Sequence, residues 1–165
     1  MKYIYILIIS IACLTLTGCG GGGGGDNGIT LTPQQQEFAD VVYAFATSIN
    51  EKDKEKAKSF IMADIVYNKT YGYEDFRIRL ENFIDNAENI NFRINDIGVY
   101  IKTLDTSDEL AEIRANVTVT YNTDAIINEI LEINIEKSGT SSHNKGITLF
   151  RKYSDEISAF PPVLE

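Results

Sequence analysis

Proton transfer near neutral pH turns first on histidine, and this 165-residue chain has one, His143. It lies in Ser138-Gly-Thr-Ser-Ser-His-Asn-Lys-Gly146, where it could serve as the base for Ser141 or Ser142. A Ser–His pair needs geometry held by the surrounding structure. Sequence neighbours in a small-residue hairpin loop lack that support, so His143 reads as a surface histidine. Asp105, Asp108 and Glu109 place three carboxylates close together, but their spacing is not that of an EF-hand calcium loop. They read as the solvated tip of a hairpin.

The two cysteines, Cys13 and Cys19, both fall in the N-terminal region. Lys2 precedes an apolar run from Tyr3 to Leu16, which has the length of a signal-peptide core and is too short to span a bilayer comfortably. Leu16-Thr17-Gly18-Cys19 follows. This resembles the lipobox of bacterial lipoproteins: an aliphatic residue, two small residues, then the cysteine that carries lipid and becomes the new N-terminus. The resemblance implies a signal peptide over residues 1–18, lipidation of Cys19, and attachment to a membrane of the bacterial cell envelope through that lipid. Gly20, rather than aspartate, follows Cys19, which within the lipoprotein pattern points to the outer membrane. More than one acyl chain is needed for stable anchoring, because each buried methylene contributes only about 0.8 kcal/mol.

Cleavage there would remove Cys13 and occupy Cys19. No thiol would remain for a disulfide, a metal or a nucleophile, and one histidine alone cannot build the usual zinc ligand sets. Gly20 to Gly25 form an unbroken glycine run, continued by Asp26-Asn27-Gly28. A phosphate-cradling loop needs a strand before its glycines and a helix directly after them; here a signal peptide precedes. Residues 19–30 therefore read as a flexible tether and residues 31–165 as a single domain. Removal of residues 1–18 leaves 14 Lys and Arg against 24 acids, a charge of −10. That balance argues against non-specific nucleic-acid binding and against direct adhesion to anionic headgroups.

The domain begins with a helix signature. Thr32 can cap, Pro33 suits the first turn, and Gln35 completes a capping box. Phe38, Val41, Val42, Phe45, Ala46 and Ile49 then recur on one helical face. A short second helix is expected over about Asp53–Met62 and a third over about Tyr73–Ala87. After Asn89 the period becomes two: Ile90, Phe92 and Ile94 alternate, then Ile97, Val99 and Ile101 on the other parity. The change at Asn95–Gly98 predicts a bulge or bend. Ala111 to Tyr121 is the clearest strand, Ile127 to Glu136 another, and Ile147 to Lys152 the last. Helices first and alternating strands afterwards give an α+β domain, with helices on a curved antiparallel sheet of about four strands.

That order resembles the NTF2-like (SnoaL-like, cystatin-like cone) superfamily. The segments that carry the likeness are Phe38–Asp53, Ile97-Gly-Val-Tyr-Ile101, Ala111–Tyr121 and Gly146-Ile-Thr-Leu-Phe-Arg-Lys-Tyr-Ser-Asp155. The chain departs from the family's closing pattern in having no tryptophan; Ile157 stands near where one would fall. The resemblance implies a cone whose sheet and helices enclose a pocket, and homodimers through the sheet's outer face. It also implies either a ligand- or partner-binding module or an isomerase- or dehydratase-type enzyme that works through one pocket carboxylate. Glu129 shares parity with Ile127 and Leu131, and Asp96 lies at the bend, so these are the candidate carboxylates; Tyr43, Tyr100 and Tyr121 could supply hydroxyls. Parity near strand ends and bend chemistry weigh against both carboxylates, and the tyrosines are more often core or rim residues. The leading expectation is a non-enzymatic module binding a small apolar ligand or an envelope protein partner, with no cofactor or metal.

Overall fold

The computed structural model describes residues 30–68, 72–104, 108–137, 145–154 and 158–164. Cys19, Asp105, Ser141, Ser142, His143 and Ile157 lie outside them. The first helix, α1, spans Pro33–Asn50 and begins with the expected capping box: the Thr32 hydroxyl accepts from the Gln35 amide, and the Gln35 side chain accepts from the Thr32 amide. Phe38, Val42, Phe45, Ala46 and Ile49 are buried, as their spacing requires, and Ala39 joins them. Asp53 caps α2, Lys54–Ser59.

The second helix stops before Met62. Residues Ile61–Tyr67 form a strand, β1, that pairs parallel with the last strand, β5, Lys145–Lys152. This fifth strand had no clean alternation to announce it: Ile61, Ile65 and Tyr67 are buried, while Met62, Ala63 and Val66 are exposed. What recruits it is a partner nearly ninety residues on. The remaining elements match their patterns: α3 is Tyr73–Asn86, β2 Asn91–Thr103, β3 Glu109–Tyr121 and β4 Ala125–Lys137. The sheet order is β1-β5-β4-β3-β2, antiparallel except for the β1–β5 pair. The parity change in β2 appears as a register shift between Ile94 and Asp96.

One face of the sheet packs on the helices. Ile113, Ala115, Val117 and Val119 of β3, Ile127, Leu131, Ile133 and Ile135 of β4, and Ile147 and Phe150 of β5 all bury there. Two side chains of α1 serve the outer edge of the sheet. Asn50 pairs with both backbone groups of Phe92, accepting from its amide at 2.6 Å and donating to its carbonyl at 3.0 Å, and Gln35 donates to the Val99 carbonyl at 2.8 Å. Part of an edge that would otherwise offer free backbone groups is thereby occupied.

Charges fasten the start of α1 to the end of the sheet. Glu37 accepts from Lys145 at 2.6 Å and faces Lys137 at 3.8 Å, and Gln34 reaches Glu109 at 2.5 Å. The hydrogen bond from Lys145 holds the Glu37 carboxyl below its ordinary value, helped by the charges of Lys145 and Lys137. A lowered pKa in the folded state contributes stability above the unfolded value, and that contribution is lost as pH falls through the lowered one. Glu37→Gln is accordingly expected to leave the neutral-pH urea midpoint nearly unchanged, since the group is exposed. It should shave a small part from the acid limb of a midpoint-versus-pH series. An identical acid limb in the variant would show that this pair contributes nothing.

Candidate functional site

Two surfaces merit attention, the inner face of the curved sheet and its outer face. Among the described residues, touching rings run across the inner face. Phe60 meets Phe45 at 6.4 Å between centroids, Phe45 meets Phe150 at 6.2 Å, and Phe150 meets Phe76 at 5.1 Å. Phe160, from the C-terminal segment, stands at 5.9 Å from Phe150, 5.0 Å from Phe92 and 5.4 Å from Phe83. Phe83 in turn sets its edge against Tyr121 at 5.2 Å. Edge-on and tilted pairs of this kind are the favoured aromatic geometries.

Polar groups around Phe160 fix the C-terminal segment. Glu129 keeps the parity of Ile127 and Leu131 and is not turned to solvent by the strand end, as had weighed against it; its carboxylate accepts from the Ser158 hydroxyl at 2.7 Å and from the Ala159 amide at 2.8 Å. Buried Asn68, whose backbone sits in the left-handed region at φ 49°, accepts from the Ser158 amide at 3.0 Å. The Tyr67 hydroxyl donates to the Phe160 carbonyl at 3.2 Å. Phe160 is therefore drawn into the core by a set of hydrogen bonds that meet in the segment Ser158–Phe160.

The other candidates do not join Glu129. Asp96 is exposed at the β2 bulge, and its carboxylate accepts from the Ile97 amide at 2.9 Å. Tyr43, 41% exposed on α1, lies near enough to Asp96 and Asp40 that burial, and then those two charges, raise its pKa. Tyr100 is 62% exposed on the outer face, and Tyr121 is half-buried against Phe83. Among the described residues no group of three or more His, Cys, Asp or Glu is placed to hold a metal ion. No described helix is long and apolar enough to cross a membrane.

The outer face is polar, but apolar side chains stand on it. Across the strands run two rows in register: Gly98, Arg114, Glu132 and Arg151, and beside it Tyr100, Glu112, Asn134 and Leu149. Arg151 grips Glu132 with two nitrogens, at 3.0 to 3.2 Å, and Lys102 pairs with Glu112. Arg114 lies over the ring of Tyr153 at 4.0 Å. Gly98, Tyr100, Glu112, Arg114 and Glu132 line an open groove of about 430 Å³. Ile126 and Ile130 are exposed farther along β4. Tyr100, a pocket candidate by sequence, stands instead on this outer face, because the neighbouring Val99 takes the inward side of β2. The outward parity of Arg114 was readable in the sequence. Its Tyr153 partner, 39 residues on, was not.

No family model and no curated protein matches the sequence. Solved structures do match the fold. Bd1075 of Bdellovibrio bacteriovorus aligns with 71% of this chain and 39% of its own, at 15% identity and a TM-score of 0.56. The helical cell shape determining protein Pgp2 of Campylobacter jejuni aligns with 69% of this chain and 39% of its own, at 10% identity and a TM-score of 0.60. This chain thus spans about two-fifths of either protein. A Streptomyces avermitilis protein of the NTF2-like family, proposed to be a dehydratase, aligns with 71% of this chain and 92% of its own, at 13% identity and a TM-score of 0.50. The fold is the α+β cone of the NTF2-like proteins.

Proposed function

We propose that the chain is a non-enzymatic NTF2-like module of the bacterial cell envelope, tethered by lipid on Cys19 to the outer membrane, that docks another envelope component on the outer face of its sheet. One observation carries the choice of face. The inner face, where a cone would hold a small apolar ligand or reacting carboxylate, is occupied among the described residues by interlocking rings, and the candidate carboxylate there, Glu129, is engaged by Ser158 and Ala159. The outer face instead presents Tyr100, Ile126, Ile130 and Tyr153 among fixed charges, the mixture of apolar anchors and polar rim that interfaces use. The lipobox and glycine tether support the address. The appearance of this fold within a cell shape determining protein accords with an envelope role.

The test is made in cells. A C–H-inserting photo-crosslinker replaces Ile130 on the outer face, 48% exposed, or Ile78 on α3, 57% exposed, and the same chain is also made as Cys19→Ser. The expected result is recovery with outer membranes that Cys19→Ser abolishes, and an adduct from position 130 but not from 78. An adduct at twice the chain mass would identify a second copy as the partner. Unchanged membrane recovery in Cys19→Ser would overturn the tether. Absence of any adduct from position 130 would overturn the docking face.

A further inference from the structure

Within the groove on the outer face, Arg114 is unusual. Its neighbours in the two rows are settled: Glu132 belongs to Arg151 and Glu112 to Lys102. Arg114 itself forms no ion pair among the described residues. One face of its guanidinium is taken by the Tyr153 ring, which holds the group in place without using its N–H donors. Such a guanidinium presents a pre-formed fork for a carboxylate.

The rest of the groove indicates what the carboxylate is attached to. Gly98 forms part of its floor, and a Cβ there would meet nothing within 4 Å. The missing side chain leaves the backbone open to a close approach. Tyr100 offers an exposed ring at the groove, with the Lys102 ammonium over one face at 5.8 Å from its centroid, and a flat apolar face can stack on the other. Glu112 and Glu132, each steadied by a cation, are acceptors that do not need to be neutralised by the ligand. A body that is flat on one face and carries hydroxyl and amide donors at its edges meets all three, and a sugar ring is such a body. From β2 to β4 the groove crosses two strand spacings, about 10 Å, the reach of roughly two rings. It is open rather than enclosed, as suits a segment of a polymer. The chain's net charge of −9 repels a densely charged polyanion, so one carboxylate per repeat fits better than many.

We infer that the groove over Gly98 is a binding site for an acidic amino-sugar of an envelope glycan, with Arg114 taking the carboxylate, Tyr100 stacking on the sugar face, and Glu112 and Glu132 accepting from its hydroxyl or amide groups. This rests on the docking face proposed above and names its partner.

Two disaccharides that differ only in the acid test it. N-acetylglucosaminyl-N-acetylmuramic acid carries one lactyl carboxylate, and N,N′-diacetylchitobiose carries none. Titrated into the full chain in detergent and followed by protein-observed NMR, the acidic sugar should shift Gly98 and Tyr100 and bind about tenfold or more tighter than the neutral one. Arg114→Gln should abolish that preference while leaving residual binding of both sugars. Gly98→Val should abolish binding of both; it places its methyl groups in open space and improves strand propensity, so its urea midpoint should not fall. Equal affinity for the two sugars, or a preference that survives Arg114→Gln, would overturn the assignment. So would tighter binding of a peptide bearing a free C-terminal carboxylate, which would make the ligand a protein terminus. If the sugars fail while position 130 still crosslinks to a protein, the docking face stands and only the glycan falls. If both fail, the face falls with it.

Discussion

Phe160→Ala is expected to cost about 3–5 kcal/mol of folding stability. The magnitude follows from where the ring lies. It is fully buried and touches rings supplied by α3, β2 and β5: Phe83, Phe92 and Phe150. Removing it takes away its own transfer free energy and leaves a void bounded by large planar groups, which cannot collapse without giving up their edge-on geometry. The chain has no tryptophan, so urea unfolding is best followed by far-ultraviolet circular dichroism. Tyr100→Ala provides the contrast, since an exposed side chain of the outer face should cost no more than about 0.5 kcal/mol. A loss below about 1 kcal/mol for Phe160→Ala would mean that the C-terminal segment does not complete the core. The claim that the cone's interior is filled would then fail, and a ligand pocket there would return as the better reading.

How far the sequence foretold this arrangement depends on the range of the interaction. Periodicity is a local property, and what it encodes was legible: the face of α1, the inward parity of Glu129 through Ile127 and Leu131, and the β2 bulge through the parity change between Ile94 and Ile97. Strand β1 was hidden because its pairing is a long-range contact with β5, and its own seven residues are too few and too irregular to show a period. The same holds for the candidate sites. That Glu129 shares the parity of Ile127 and Leu131 could be read from its neighbours, while its place near the strand end weighed against an inward side chain. That Ser158 and Ala159, about thirty residues later, would take both of its oxygens could not be read, because no spacing rule links a strand residue to an irregular tail. Asn68 and Tyr67 enter the same knot from the end of β1, and a strand that is not anticipated cannot contribute its terminal residues to a predicted site.

Glu129 offers the sharpest separation between a structural and a chemical role, because its two substitutions should diverge. Glu129→Ala removes both acceptors. The Ala159 amide, at an exposed residue, can turn to water, but the Ser158 hydroxyl is buried and is left with Phe160 alone, donating to its carbonyl at 3.1 Å and accepting from its amide at 3.1 Å. A charge-assisted bond is lost and the tail that carries Phe160 is loosened, at an expected cost of about 1.5–3 kcal/mol. Glu129→Gln should cost less than about 1 kcal/mol. Its amide oxygen can still accept from Ala159, and its amide nitrogen can donate to Ser158 once that hydroxyl rotates to donate to the Phe160 carbonyl. A double-mutant cycle with Ser158→Ala checks the assignment, since residues that share a hydrogen bond should show a coupling of about 1 kcal/mol and independent ones none. A carboxylate that transferred protons would show the opposite order. The isosteric amide would be the damaging change, abolishing any turnover at unchanged stability, and alanine would add little beyond it. If alanine and glutamine prove equally harmless to the fold while glutamine alone abolishes a reaction, Glu129 is a catalytic group and the module is an enzyme. If alanine unfolds what glutamine preserves, the carboxylate serves to hold Phe160 in the cone, and binding must be sought on the other side of the sheet.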